Sequence, residues 1–241
     1  MGLITLQDLF GTGSPEYERP HALPAHVRKA ARAIMPCRTA ALGGHVQACP
    51  DGQVSRIWDN ACRHRSCPPC ASLQTERWLA IPHARRLACD HSHVILTLPH
   101  DLKPLWRINV PVMSPLLWHT VRDTLRTLLA DRTSLGAEPG SIAALHTWSQ
   151  TLVLHPHLHC FVTGGGWPPS GEWVAVRHGF VLPARVVRAV FRGKRLDALR
   201  QAWPRGAREL PEPLQPQQFV TRLNRLGHPK KTRWNVRILE R

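Results

Sequence analysis

Acidic residues, tyrosine and long apolar runs are all scarce in this chain of 241 residues. Asp and Glu number 16 against 32 Lys and Arg, and none lies between Ser141 and Gly171. A metal site in that segment therefore has no carboxylate ligand of its own. No apolar run approaches the roughly 18 residues of a membrane span, and the N-terminus lacks a secretory-signal pattern. We therefore expect a cytoplasmic protein with no membrane partner.

The positive charge is concentrated near the C-terminus. The net charge is +16, and residues 177–241 hold 16 Lys or Arg against 4 Asp or Glu. Such an excess suits a polyanion such as DNA, although an arginine-rich genome composition would also produce it. The clustering predicts nucleic-acid backbone contacts for six residues, which are Arg192, Lys194, Arg195, Arg200, Lys230 and Lys231.

Hydrophobic periodicity changes along the chain and indicates three regions. Residues 1–36 are expected to form a helical N-terminal segment. Residues 37–87 concentrate Cys, His, Gly and Pro, as in a small domain held by a metal. Residues 88–241 alternate irregularly between helices and strands, including a clear amphipathic helix over 113–129 and a buried strand over 93–99. This pattern predicts an α+β fold with an antiparallel sheet.

The cysteines have the spacing of metal ligands more than of disulfides. Seven occur in a chain with no export signal, and Cys67 and Cys70 show the two-residue gap of a zinc knuckle. A second pair with this gap is missing, so a redox-active pair or unpaired thiols stay open as the alternative. The predicted ligands of a structural Zn²⁺ are Cys49, Cys62, Cys67 and Cys70, with Cys37, His45 and His64 as alternates.

Two histidines share one face of a predicted strand. Segment 145–166 contains His157 and His159, and side chains two apart on a strand point the same way. Three glycines at 164–166 are expected to stop this strand. The two imidazoles make half of a divalent-cation site, although ordinary polar histidines would show the same spacing. Gln150, on the neighbouring predicted strand, is either a third ligand or orienting group, or an ordinary polar residue.

Several motifs together resemble one known family. They read CRTAALGGHVQAC, NACRHRSCPPC, HVILTLPHDLKPLW, GSIAALHTWSQTLVLHPHLHCFVTGGGW and FVLPARVVRAVFRGK. From about residue 25 onward the chain is similar to the rolling-circle insertion-sequence transposases of the IS91 family. That family joins a zinc-binding domain to a nuclease domain of the HUH (His-hydrophobic-His) superfamily. The resemblance implies that residues 37–87 form the zinc-binding domain and residues 88–241 the HUH-type domain.

The resemblance also implies a mechanism. His157 and His159 would bind Mg²⁺ or Mn²⁺, and the ion would polarise a scissile phosphate in single-stranded DNA at the transposon ends. A tyrosine would then attack and leave a covalent 5′-phosphotyrosine and a free 3′-hydroxyl. Imidazole ligands favour Mn²⁺ over Mg²⁺. On this interpretation the protein is a DNA-binding, nucleoid-associated transposase.

The chain departs from the family pattern in two places. Gly52 stands where a cysteine is expected and Ser66 where a histidine is expected, which weakens the zinc site or reassigns its ligands. The family's tyrosine lies beyond the strand that residues 233–239 resemble, whereas the only tyrosine here is Tyr17. We therefore expect an HUH domain that is incomplete at its C-terminus. Its nucleophile would lie beyond Arg241, and the chain would bind metal and DNA but would not nick alone.

Two alternatives stay open at this point. In the first, the protein is a non-enzymatic, zinc-stabilised DNA-binding remnant. In the second, which the shortage of nearby Asp and Glu disfavours, it is an unrelated metal-dependent phosphoesterase that uses His157 and His159.

Overall fold

The chain forms two compact units, Met1–Arg86 and Leu87–Arg241, which we call unit 1 and unit 2. Within the described residues, no helix is long and apolar enough to cross a membrane. The computed structural model describes residues 4–52, 55–176, 182–203, 216–228 and 232–240.

The described residues of unit 1 form three α-helices, a short 3-10 helix (Ala40–Leu42) and a two-stranded antiparallel hairpin. Its buried core is small and consists of Ile34, Cys37 and Cys67, with Leu6 and Phe10 packed against it. Residues 1–36 therefore belong to the same unit as the cysteine-rich segment. The elements in chain order are α1 (Leu6–Glu18), α2 (Ala25–Ile34), β1 (Gly44–Ala48), β2 (Ser55–Asp59) and α3 (Pro68–Ala84).

Unit 2 contains an antiparallel sheet. Its described strands are β3 (His91–Thr97), β4 (Glu138–Trp148), β5 (Leu154–Trp167), β6 (Val174–Ala175) and β7 (Asn235–Glu240). The strand order is β4-β5-β3-β7, and β6 pairs with the end of β5. Together with its helices, this sheet confirms the predicted α+β class. The helices are α4 (Lys103–Ile108), α5 (Val110–Ala130), α6 (Ala184–Ala202) and α7 (Pro216–Gly227).

The two faces of β5 have different environments. Leu158, Cys160 and Val162 are fully buried in a core that α5, α6 and α7 complete. His157 and His159 alternate with them and therefore lie on the opposite face of the sheet. The two-residue period of the strand thus places the apolar and the imidazole side chains on separate faces.

The three glycines at 164–166 lie inside β5, so the expectation that they stop the strand was wrong. Close neighbours explain why glycine is needed there. A Cβ on Gly165 would come within 2.5 Å of Trp173 and Val174, and one on Gly166 within 2.4 Å of the Glu138 carbonyl oxygen. The glycines therefore let β6 and the start of β4 approach β5.

Helix α6 buries an arginine in the core of unit 2. Arg195 is fully buried, and its Nη2 donates to the Met113 carbonyl oxygen at 3.4 Å. Its Nε and Nη1 have no hydrogen-bond partner among the described residues. Burial lowers the pKa of Arg195 to about 9, so the group still carries its charge at neutral pH.

We expect Arg195→Met to raise the free energy of unfolding by roughly 2 kcal/mol, because an apolar side chain removes a desolvated charge that has no counter-ion among the described residues. Urea denaturation of the parent and the variant measures the change. Arg192→Met, on a half-buried residue of the same helix, is the matched control and should change stability little. A destabilised Arg195→Met chain would contradict this account of the core.

Candidate functional site

Four cysteines of unit 1 converge on one point. Cys37 follows α2, Cys62 lies in the loop after β2, and Cys67 and Cys70 lie at the start of α3. Cys67 precedes the first turn of that helix as its N-cap residue, so the two-residue gap places both thiols on the same side. The four sulfur atoms lie within 4.8 Å of one another.

The sulfur geometry fits a tetrahedral zinc ion. The Sγ atoms of Cys37 and Cys70 are 3.5 Å apart, those of Cys62 and Cys70 3.6 Å, and those of Cys37 and Cys67 3.6 Å. Four zinc–sulfur bonds of about 2.3 Å place the sulfurs roughly 3.8 Å apart. Burial raises the pKa of Cys62 to about 12, so metal binding at this site is coupled to release of protons.

The ligand set differs from the predicted one at a single position. Cys37 takes the place that Cys49 was expected to hold, and Cys49 lies in the loop after β1, outside the cluster. His45 is exposed on β1, and the His64 ring accepts a hydrogen bond from the Ser66 amide at 3.2 Å. Cys37 lacks a neighbouring cysteine in the sequence, so the spacing left it as an alternate ligand. Its contact with Cys67 at the start of α3, with Sγ atoms 3.6 Å apart, places it in the cluster.

We expect Cys37→Ser to lose bound zinc and to unfold unit 1, because a thiolate ligand is removed and structural zinc binding is coupled to folding. Cys49→Ser is the matched control and should keep one zinc per chain. Atomic absorption after dialysis, together with thermal unfolding, gives both results. Loss of zinc from Cys49→Ser with retention in Cys37→Ser would reverse the assignment.

The second cluster consists of histidines on the open face of the unit 2 sheet. His157 and His159 lie on β5, and His146 lies directly opposite His157 on β4. One ring nitrogen from each of these three lies within 4.8 Å of the others. His93, on β3, lies beside this group, with its Nε2 2.8 Å from Nδ1 of His159.

Hydrogen bonds orient two of these rings. Nδ1 of His157 contacts the His155 carbonyl oxygen and must donate a proton to it, because a carbonyl only accepts. The lone pair of His157 is therefore on Nε2. The contact with His93 occupies Nδ1 of His159, so Nε2 is the ring nitrogen of His159 left for a metal ion. Such contacts fix the tautomer of a metal-binding histidine.

The surroundings of His157 and His159 favour the neutral form of these two rings. Burial, followed by the nearby His146, His157 and His93, lowers the pKa of His159 from 6.5 to about 4. Burial also lowers the pKa of His157. Neutral imidazoles are the form that binds a metal ion.

Gln150 is not part of this cluster. It is exposed in the turn between β4 and β5, and His146 occupies the position on β4 that faces the histidine pair. The register shift between His146 and Trp148 could not be read from the sequence. The sequence did offer one signal for His146, which is a histidine within the strand predicted to pair with β5.

We expect the metal-free chain to lose stability as the pH falls from about 6.5 to about 4. The folded pKa of His159 lies below its unfolded value of 6.5, so in this window the unfolded chain binds a proton that the folded chain does not. Denaturation at several pH values should show a smaller loss for His159→Gln than for the parent. His119→Gln, on the exposed side of α5, should match the parent, and equal slopes for all three chains would contradict this expectation.

The residues predicted to contact DNA have different environments. Arg192 and Lys194 are half-buried on α6, and exposed Arg200 binds the carboxylate of Asp197 at 2.9 Å. Arg195 is fully buried, so we withdraw it as a DNA contact, because its guanidinium cannot reach a phosphate. Lys230 and Lys231 lie outside the described residues.

Tyr17, the only tyrosine of the chain, lies on α1 of unit 1. Its side chain is 56% exposed and stacks on His21 with ring centroids 4.2 Å apart. The sequence of unit 2 therefore contains no tyrosine.

Two families of known proteins match the two parts of the chain. Residues 9–98 match the family described as "Transposase zinc-binding domain", and residues 140–241 match the family described as "Putative transposase". These matches cover the cysteine cluster and the histidines of β4 and β5.

Curated relatives carry transposase names. A protein of Sinorhizobium fredii named "Putative transposase y4qJ" is 43% identical over 201 residues, which cover 83% of this chain and 50% of the relative. The "Transposase for insertion sequence element IS801" of Pseudomonas savastanoi pv. phaseolicola is 31% identical over 142 residues, which cover 58% and 34%. The chain therefore spans half of the length of the first relative and about a third of the length of the second. A solved structure of TrwC complexed with a 27-mer DNA aligns over 55% of this chain and 54% of that chain, with a TM-score of 0.36 and 16% identity.

Proposed function

Since this chain belongs to the IS91 family of transposases, we propose that it binds single-stranded DNA at the ends of an insertion sequence and holds a divalent cation in unit 2. The observation that carries the proposal is the convergence of His146, His157 and His159 on one face of the sheet. Zinc in unit 1 is structural, as the transposase zinc-binding domain and its four clustered cysteines indicate.

The donor set in unit 2 suits a transition metal. Three neutral imidazoles supply nitrogen ligands, and none of the described residues in the cluster adds a carboxylate. Imidazole suits Mn²⁺ and its neighbours better than Mg²⁺, which prefers oxygen ligands. Water and a phosphate oxygen of the DNA would complete the coordination shell.

The bound cation would stabilise the negative charge that develops on the phosphate oxygens. Residues of the chain orient the imidazole rings that would bind this cation. The His155 carbonyl oxygen keeps the proton of His157 on Nδ1, which leaves its Nε2 lone pair free. Binding of an ion by Nε2 of His159 would place the proton of that ring on Nδ1, where it would donate to Nε2 of His93. His93 is in this sense a positioning residue, since it acts through His159.

A nicking reaction of the proposed kind needs a tyrosine nucleophile near the histidine cluster. Unit 2 contains no tyrosine, so a tyrosine that attacks at the histidine cluster must come from outside unit 2. This observation favours a second candidate function, in which the chain binds metal and DNA without cleaving. An activated water at the cation would give a phosphoesterase instead.

We expect His157→Ala with His159→Ala to weaken Mn²⁺ binding about 100-fold or more, because two of three ligands are lost. DNA affinity without added Mn²⁺ should change little, since these two histidines would contact a phosphate only through the metal ion. Mn²⁺ electron paramagnetic resonance titration and fluorescence anisotropy measure the two quantities, with exposed His119→Ala as the control. A parent chain without saturable Mn²⁺ binding would remove the basis of the nuclease site.

The decisive assay incubates the chain with labelled single-stranded oligonucleotides and Mn²⁺ or Mg²⁺ and reads a denaturing gel. We expect binding without cleavage, because unit 2 supplies no tyrosine as the nucleophile. Cleavage with a covalent protein–DNA adduct that Tyr17→Phe abolishes would instead assign the nucleophile to Tyr17. Cleavage without an adduct would establish the phosphoesterase.

A further inference from the structure

Three arginines and a tryptophan line an open groove of unit 1 that the nuclease proposal does not use. The groove lies beside the hairpin of β1 and β2, and its lining includes Arg38, Arg56, Trp58 and Arg63, all exposed. His45 also lines it, and Asp59 is the acidic residue among the lining side chains. The arginines give the groove an excess of positive charge.

Two of these arginines occupy backbone positions that disfavour them. Arg38 and Arg63 directly follow Cys37 and Cys62 of the cysteine cluster, and their φ angles are 59° and 54°. This left-handed conformation is unfavourable for most residues with a Cβ. Glycine is the usual occupant, and asparagine also tolerates it. The turns need the conformation but not an arginine side chain. Strain kept in this way points to a function for the guanidinium groups.

The guanidinium groups of the groove are available to an anion. Among the described residues, none of Arg38, Arg56 and Arg63 forms an ion pair with a carboxylate. A guanidinium presents several donors in a planar fork that matches a phosphate group. The groove therefore has the chemistry of a phosphate-binding surface.

The groove also contains an aromatic ring, that of Trp58 on β2. Trp58 is 42% exposed, and its Nε1 donates to Gln47 Oε1 at 3.1 Å, which fixes the ring. Arg56, two residues earlier on β2, holds its Cζ 4.3 Å from the ring centroid. Stacked aromatic and guanidinium planes suit unpaired bases, whereas the bases of a duplex already stack on one another.

We propose that this groove binds single-stranded DNA, with Arg38 and Arg63 on backbone phosphates and the Arg56–Trp58 pair against a base. The inference rests on the proposed function only in taking DNA as the polyanion, and it is independent of the histidine cluster. It gives unit 1 a binding role beyond the structural one of its zinc site.

The test uses the zinc-loaded full chain without added Mn²⁺ or Mg²⁺, and follows binding of a fluorescent single-stranded oligonucleotide by anisotropy over a range of salt. We expect Arg38→Gly with Arg63→Gly to weaken binding about tenfold or more and to make the log–log salt slope shallower by about 1.4, or 0.7 for each lost phosphate contact. Thermal stability should stay equal or rise, because glycine relieves the strained backbone. Arg38→Asn with Arg63→Asn, which also tolerates this conformation, serves as a second variant if zinc content falls.

Matched controls remove the same charge or ring elsewhere in unit 1. Arg28→Ala with Arg32→Ala, on the exposed side of α2, should keep the parent slope. Trp58→Ala should lose about tenfold in affinity for the single strand, whereas Trp78→Ala, on exposed α3, should not.

If the parent binds and the Arg38 and Arg63 variants keep its affinity and slope, the groove assignment is wrong and the DNA-binding function stands. A parent chain that binds no oligonucleotide would overturn both proposals.

Discussion

The pairing of β5 with β4 on one side and β3 on the other is the constraint on which unit 2 depends. Because side chains alternate along β5, burial of Leu158 and Cys160 in the core obliges His157 and His159 to face away from it. The register with β4 then brings His146 opposite His157. A slip of one residue would exchange the core and the candidate site together.

Unit 1 is organised by a different interaction. Its buried core of Ile34, Cys37 and Cys67 is too small to offset the entropy of ordering three helices and a hairpin. Two of those three buried side chains belong to the cysteine cluster. Metal binding would therefore supply much of the stability of unit 1. Unit 2 obtains the corresponding stability from the hydrophobic core between its sheet and helices.

The sequence was most informative where one element carries the whole signal. Apolar spacing indicated α5, alternation indicated the histidine face of β5, and the Cys67–Cys70 gap indicated the thiol cluster. The predictions were wrong where tertiary packing determines which residues come together. Cys37 rather than Cys49 joins the cluster because the segment after α2 lies against the start of α3, and His146 rather than Gln150 faces β5 because of the strand register. Charge clustering could not show that Arg195 faces the core.

Among the described residues, the histidine cluster contains no carboxylate. A divalent ion held by three neutral imidazoles would keep its full positive charge, in contrast to one bound by carboxylates. In the proposed complex, the phosphate of the nucleic acid would supply counter-charge to this ion. Affinity for the ion and affinity for the DNA would then be thermodynamically linked, and each ligand would strengthen binding of the other by the same factor. Occupancy of the proposed metal site would therefore rise and fall with the amount of bound DNA.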